Sequence, residues 1–137
     1  MEQNITQILI IDDDEINNFI AAKLIGKVQE HTVVNTCLNG LEGINYIKAK
    51  LNDEANFPDI IFLDINMPVM NGWEFLALYD QLDSPLKKKA SIYMLSSSVY
   101  NEDIEKASVY PVVNKFISKP LTVEKIKDLF SELKINP

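Results

Sequence analysis

Acidic residues stand at the ends of two short apolar runs in this 137-residue chain. Asp12 and Asp13 come directly after the first run, and Asp64 is the last residue of a later one. A hydroxyl, Ser96, and an ammonium, Lys119, end two further runs. If these side chains converge, two carboxylates 4 Å apart repel by about 4 kcal/mol at an effective dielectric of 20. Mg²⁺ offsets such repulsion, and it keeps coordination positions open for phosphate oxygens. A carboxylate beside Mg²⁺, a lysine and a serine is equipped to attack phosphorus and to stabilise the aspartyl phosphate that forms.

An alternation of strand and helix patterns would place these residues at one edge. Short strand patterns, mostly apolar, occupy residues 8–11, 32–38, 59–64, 92–95 and 115–118, and a helical pattern follows each. Strands that are apolar on both faces and joined by helices predict an α/β fold with a parallel sheet. Right-handed crossovers favour the flavodoxin-like strand order 2-1-3-4-5. We therefore expect a (βα)5 three-layer sandwich, a single domain over residues 1–137 with its core at about 7–133.

The helical patterns also predict which side chains face the sheet. In the first helix one stripe carries Ile16, Phe19, Ile20, Leu24 and Val28, and we expect it to be buried. Asp14, just before this helix, is expected to cap it rather than to bind a ligand. Later helices are expected to bury Leu41, Ile44 and Ile47, then Phe75, Leu76 and Tyr79, and finally Val123, Ile126, Leu129, Phe130 and Leu133.

Composition and charge exclude several classes of protein. No apolar run approaches the roughly 20 residues of a membrane helix, and no secretion signal opens the chain. We therefore expect a cytoplasmic protein with no membrane insertion. All 13 basic residues are lysines, against 20 acidic residues, so direct nucleic-acid binding is not expected. The one cysteine, Cys37, excludes an internal disulfide, and we expect it in the core.

Four motifs resemble those of two-component response-regulator receiver domains, and the resemblance covers residues 7–133. They lie at residues 10–14 (IIDDD), 62–72 (FLDINMPVMNG), 94–96 (MLS) and 116–120 (FISKP). The D-x-x-M-P-x-M-x-G run within the second motif is specific. The occurrence of all four motifs in order, each at a strand end, is more specific still. The chain is similar to single-domain receivers of the chemotaxis-regulator kind.

The resemblance implies a phosphorylation switch with Mg²⁺ as its cofactor. Asp64 matches the phosphoacceptor and a metal ligand, and Asp13 matches the direct metal ligand. Asp12 matches the residue that acts mainly through metal-bound water. The backbone carbonyl of Asn66 would complete the protein ligands. Ser98 and the side chain of Asn66 stand at positions that influence phosphoryl hydrolysis in that family.

The resemblance also assigns the residues that respond to phosphorylation. Ser96 matches the switch hydroxyl that is drawn toward the phosphoryl group. Phe116 matches the switch aromatic that turns inward when that hydroxyl moves. Lys119 matches the lysine that pairs with the phosphoryl oxygens, and the bond to Pro120 is expected to be cis. These movements would change the surface of helix 4 and strand 5, which we expect to bind partners.

The resemblance implies a sensor histidine kinase or a phosphotransfer protein as donor, and a downstream protein that the sequence does not identify. The chain ends at Pro137, shortly after the last predicted helix, so we expect a stand-alone regulator without an output domain. Such a protein would be a relay intermediate or a terminal output that acts by docking. It would be a signalling switch rather than an enzyme, limited to self-phosphorylation from small donors and self-dephosphorylation.

Two alternatives fit parts of the same pattern. A phosphohydrolase of the haloacid dehalogenase type also begins with D-x-D after its first strand, and its nucleophile would be Asp12. Against it, Ile16 stands where threonine or valine is expected, no late acidic pair is present, and the chain lacks a cap domain. The other alternative is a degenerate receiver that serves only as an interaction module. Because all the key residues are present, a degenerate receiver is a weaker interpretation than a receiver that accepts phosphoryl.

Overall fold

The computed structural model describes residues 5–97 and 100–133, so Ser98 and the ends of the predicted 1–137 domain lie outside the described residues. The strands are β1 (Thr6–Ile11), β2 (Thr32–Cys37), β3 (Ile60–Asp64), β4 (Ser91–Ser96) and β5 (Val113–Ser118). The helices are α1 (Glu15–Val28), α2 (Gly40–Ala49), α3 (Gly72–Asp80), α4 (Asn101–Ala107) and α5 (Val123–Glu132). A short 3-10 helix, Pro85–Lys88, precedes β4. None of the helices in these described ranges is long and apolar enough to cross a membrane.

The five strands pair in parallel in the order β2-β1-β3-β4-β5, which confirms the predicted flavodoxin-like topology. Every residue of β1 and β3 is buried, because helices cover both faces of the sheet at its centre. The edge strands β2 and β5 are partly exposed. In the register of the central pair, Ile11 lies opposite Leu63. The next residue of each strand, Asp12 and Asp64, is therefore brought to the same edge.

Two apolar cores lie on opposite faces of the sheet because successive strand residues point in opposite directions. Leu9 and Ile11 face α2 and α3, whereas Ile8 and Ile10 face α1 and α5. Cys37 is buried in the first core, as predicted. Burial, with a smaller contribution from the charge of Glu42, raises the pKa of the Cys37 thiol to about 11. The thiol is therefore protonated at neutral pH and packs as a small apolar side chain.

Side-chain caps fix the beginnings of the helices that follow the site residues. Asp14 caps α1 by accepting a hydrogen bond from the amide of Asn17 at 3.0 Å, as predicted. Asn71 and Glu74 form a reciprocal capping box at the start of α3. These caps satisfy amides that the first turn of a helix leaves without partners.

The buried face of α1 differs from the prediction. Three large residues of the predicted stripe are exposed, with accessible fractions of 72%, 64% and 48% for Ile16, Phe19 and Ile20. Asn18, Ala21 and Ile25 are buried instead, while Leu24 and Val28 pack partly against the core. In α2, Leu41 is 42% exposed, although Ile44 and Ile47 are buried as expected. On this buried face of α1 the Asn18 side chain also hydrogen-bonds the carbonyl of Asp12.

Candidate functional site

The carboxyl edge of the sheet carries an ion cluster built from three strands. Lys119 Nζ lies 2.9 Å from Asp12 Oδ2 and 3.2 Å from Asp64 Oδ1. Asp12 and Asp64 are only 2% and 6% exposed, whereas Asp13 is exposed. One carboxylate oxygen from each of the three aspartates lies within 4.8 Å of the others. The structure thus brings together four of the residues that the sequence placed at strand ends.

Asp12 is held by hydrogen bonds at four of its atoms. Its amide donates to the carbonyl of Cys37 at 3.0 Å, which extends the pairing of β1 with β2. Its carbonyl accepts from Asn18 Nδ2 at 2.9 Å. Its Oδ1 accepts from the amide of Asp14 at 3.0 Å, and its Oδ2 meets Lys119. Because both carboxylate oxygens already have partners, Asp12 is suited to contact a cation through water.

The start of α3 packs against the backbone of Asp64 at the end of β3. The amide of Gly72 donates to the carbonyl of Ile65 at 2.9 Å, which draws the helix onto the end of β3. A Cβ at Gly72 would lie 2.5 Å from the carbonyl oxygen of Asp64. Only glycine permits this approach, so the last position of the D-x-x-M-P-x-M-x-G run is a packing requirement of the site.

The loop between β3 and α3 contains a strained turn. Val69 has φ 68°, an unfavourable region for a β-branched residue, and the amide of Met70 donates to the carbonyl of Pro68 at 2.7 Å. The amide of Gly40 in turn donates to the carbonyl of Met70 at 2.8 Å, which fastens the loop to α2. Asn66, predicted to supply a carbonyl ligand, is an exposed residue of this loop.

The loop after β5 presents Lys119. The Lys119 amide donates to the carbonyl of Ser96 at 2.9 Å, and the bond to Pro120 is cis, as expected. Lys125 on α5 donates to the carbonyls on either side of Lys119, at 2.7 Å for Ser118 and 3.1 Å for Pro120. Sequence reasoning missed this contact, and helical spacing alone does not distinguish Lys125 from a solvated lysine.

The two predicted switch residues lie beside the cluster on β4 and β5. Ser96 is the buried last residue of β4, one position beyond Leu95, which pairs with Asp64. Phe116 pairs with Met94 and is half-buried against the core on the α2 and α3 face.

The surroundings favour the charged form of Lys119 and disfavour the charged form of Asp64. Burial and then the charge of Asp12 raise the pKa of Asp64, and these effects outweigh the opposing effect of Lys119. Burial alone would lower the pKa of Lys119, but hydrogen bonds and charges from Asp12 and Asp64 raise it overall. One lysine therefore faces two buried carboxylates and a third at the surface. The all-oxygen donor set and this excess of negative charge fit a hard divalent cation such as Mg²⁺.

Comparison with known proteins places these features in one family. The family model of the response regulator receiver domain matches residues 8–131. Hybrid signal transduction histidine kinase G of Dictyostelium discoideum is 36% identical over 123 residues, which are 90% of this chain and 3% of that protein. The nitrate/nitrite response regulator protein NarL of Escherichia coli is 36% identical over 99 residues, 71% of this chain and 40% of that protein. The chain thus spans well under two thirds of these relatives.

Solved structures agree with the topology. A two component response regulator from Cytophaga hutchinsonii superimposes with a TM-score of 0.83 at 33% identity, covering 98% of this chain and 100% of that one. The chemotaxis protein CheY4 of Vibrio cholerae superimposes with a TM-score of 0.76 at 23% identity, covering 93% and 98%. At that lower identity the second match supports the fold alone.

Proposed function

Because this chain belongs to the response regulator receiver domain family of two-component signalling, we propose that Asp64 accepts a phosphoryl group from a histidine kinase or a phosphotransfer protein. The observation that carries the proposal is the contact of one lysine, Lys119, with two buried carboxylates, Asp12 and Asp64. A carboxylate oxygen of Asp64 attacks the phosphorus of a phosphohistidine. The new P–O bond forms as the P–N bond breaks, and the imidazole leaves with the bonding electron pair.

Mg²⁺, when bound, supplies charge neutralisation for the carboxylates and the incoming phosphoryl oxygens. Asp13, Asp64 and the backbone carbonyl of Asn66 would hold it directly. Asp12 would act mainly through metal-bound water, since its own oxygens accept hydrogen bonds from Lys119 and from the amide of Asp14. Mg²⁺ leaves positions open for phosphate oxygens, so this ligand set can accommodate the donor.

Lys119 and Ser96 would then stabilise the phosphorylated state. The Lys119 ammonium, released from Asp64 as that carboxylate becomes an acyl phosphate, pairs with a phosphoryl oxygen. The Ser96 hydroxyl moves toward another phosphoryl oxygen, and Phe116 fills the space that this movement opens. The consequence is a changed surface on α4 and β5 that selects a downstream protein. The domain would thus act as a signalling switch in the cytoplasm, with no direct contact to nucleic acid and no membrane insertion.

Exposed apolar residues near the site support a protein donor. Ile16, Phe19 and Ile20 project from the beginning of α1, and Ile20 lines the same cavity as Asp12 and Lys119. A group of exposed apolar side chains at the rim of a polar site is typical of a protein contact. A second exposed group, formed by Tyr100, Ile104 and Val109, spans the N-cap of α4, the helix itself and the loop after it. We assign the first group to the phosphoryl donor and the second to the downstream protein.

The test is phosphorylation of the purified chain by acetyl phosphate with Mg²⁺, followed by reductive trapping and mapping by mass spectrometry. We expect label on Asp64, and none in Asp64→Asn or in the presence of EDTA. Asp83→Asn, which changes an exposed aspartate, is the matched control and should be labelled normally. Label on Asp12 with multiple turnover of the donor would instead identify a phosphohydrolase.

We also propose that residues 1–137 form one receiver domain with its core at about 7–133. The two cores on opposite faces of one sheet support this division, since each strand contributes residues to one or both of them. Limited proteolysis tests it: a single resistant fragment spanning the five strands is expected. Separate stable fragments would contradict it.

A further inference from the structure

Asn18 is a polar residue on the buried face of α1. It is 4% exposed, yet Ile16, Phe19 and Ile20 on the same helix are largely exposed. Burying those three side chains would contribute favourable transfer free energy, and burying an amide costs free energy unless it is hydrogen-bonded. Packing alone therefore does not explain why α1 turns Asn18 toward the sheet.

The Asn18 side-chain amide makes one hydrogen bond to the site and leaves its oxygen without a partner among the described residues. Nδ2 donates to the carbonyl of Asp12 at 2.9 Å. A carbonyl can only accept, so Nδ2 must be the atom on that side, and Oδ1 points away from it. Oδ1 is buried and has no hydrogen-bond partner among the described residues. Asn18 lines a cavity of about 40 Å³ together with Asp12 and Lys119.

We propose that Asn18 is a positioning residue for the cation site, and that it acts through Asp12. The inference rests on the proposed function, because it concerns the affinity of that site for Mg²⁺. Asn18 fixes the backbone of Asp12 from α1 while Asp14 and Lys119 fix its carboxylate. The cavity exceeds the roughly 10–15 Å³ that one water needs, so an ordered water there can donate to Oδ1.

Through the hydrogen bond from Asn18 to Asp12, the rotation of α1 affects the orientation of the Asp12 carboxylate, which would face the cation. Residues that hydrogen-bond to metal-binding groups and orient them influence the affinity for the metal without contacting the ion. Their replacement typically weakens metal binding by about 10- to 100-fold. Since Asp12 would contact the cation through water, the lower end of that range applies here.

The experiment is a Mg²⁺ titration of the full chain followed by backbone amide chemical shifts in NMR spectra. The wild type is compared with Asn18→Leu, which has similar volume and suits the apolar core around it. Asn18→Ala is the second variant, and it removes the same amide with a smaller side chain should leucine prevent folding. Asn17→Leu is the matched control, because Asn17 lines the same cavity but is exposed and donates to Asp14 only through its backbone.

We expect the Kd for Mg²⁺ to rise about tenfold in both Asn18 variants and to stay unchanged in Asn17→Leu. The spectra report folding in the same samples, so loss of affinity and loss of structure are separated. A purely structural role predicts lower melting temperatures with unchanged Mg²⁺ affinity, and that result would overturn the inference. If the wild type itself shows no Mg²⁺-dependent shifts, the proposed cation site is wrong and the inference is overturned with it.

Discussion

Replacing Asp64 with asparagine is expected to stabilise the fold at neutral pH when divalent cations are absent. The variant removes a buried negative charge that lies close to Asp12 and Asp13. It keeps a side-chain oxygen of the same reach, so Lys119 retains an acceptor. The protein would thus be more stable without the residue that its proposed function depends on, as is common for strained functional sites.

The magnitude follows from the distances in the cluster. Asp12 and Asp64 have carboxylate oxygens within 4.8 Å of each other, which gives a repulsion of at least about 3 kcal/mol at an effective dielectric of 20. Lys119, at 3.2 Å, gives an attraction of about 5 kcal/mol under the same assumption. Burial of the Asp64 charge costs several kcal/mol more, and exposed Asp13 adds a smaller repulsion. We expect a net gain of about 1–3 kcal/mol for Asp64→Asn, or about 3–10 °C in Tm.

The raised pKa of Asp64, caused first by burial and then by Asp12, sets the sign of the pH dependence. In the unfolded chain the pKa of this carboxyl is about 3.9, and in the folded protein its pKa is higher. Below the unfolded pKa it is neutral in both states, so wild type and variant should differ little. As pH rises through the folded pKa, the wild type loses stability relative to the variant. The difference should be complete above that pKa.

The assay is thermal and urea unfolding in EDTA between pH 3.5 and 7.5, with Asp83→Asn as the exposed control. Adding Mg²⁺ should close the gap, since a cation at 100 times its Kd stabilises the wild type by about 2.7 kcal/mol. A lower melting temperature for Asp64→Asn than for wild type at pH 7 in EDTA would refute the reasoning. It would mean that the attraction to Lys119 exceeds the repulsion and the cost of burial together.

Three further substitutions test the geometry around the cluster, and a fourth, Gly26→Ala, is a control for one of them. Lys119→Met should slow phosphorylation by acetyl phosphate by about 10²- to 10³-fold, because it removes the cation that pairs with the phosphoryl oxygens. The rate is measured by mass spectrometry over time, and a normal rate would exclude that role of Lys119. Val69→Gly should raise the free energy of unfolding by about 1 kcal/mol, because glycine adopts φ 68° without strain. An unchanged melting temperature would show that the backbone of Val69 is not strained. Gly72→Ala should destabilise by more than about 2 kcal/mol through its contact with the Asp64 carbonyl, whereas Gly26→Ala, with no atom within 4 Å, should stabilise by about 0.5–1 kcal/mol. Effects of the same sign in the two glycine variants would contradict this account.

The topology was predictable because it depends on patterns within short segments. Apolar runs that end in polar residues indicate buried parallel strands, and the handedness of the crossovers restricts their order. Once that order is known, Asp12, Asp64 and Lys119 must lie at one edge. The caps at Asp14 and Asn39 follow from equally local rules. The roles assigned to Ser96, Phe116 and the Asn66 carbonyl stay predictions, because they concern a phosphorylated state.

The tertiary structure decided which face of α1 is buried and how the cluster is supported. The spacing of apolar residues predicted a buried stripe through Ile16, Phe19 and Ile20, but α1 buries Asn18 instead. A period of 3.6 residues shows that a helix has an apolar side, yet it does not show whether that side meets the core or a partner. The buried face of α1 carries a hydrogen bond from Asn18 to the carbonyl of Asp12, and both this contact and the close approach of Gly72 to Asp64 join separate elements. Patterns within short segments predict which groups reach the site, whereas contacts between distant segments determine how those groups are held.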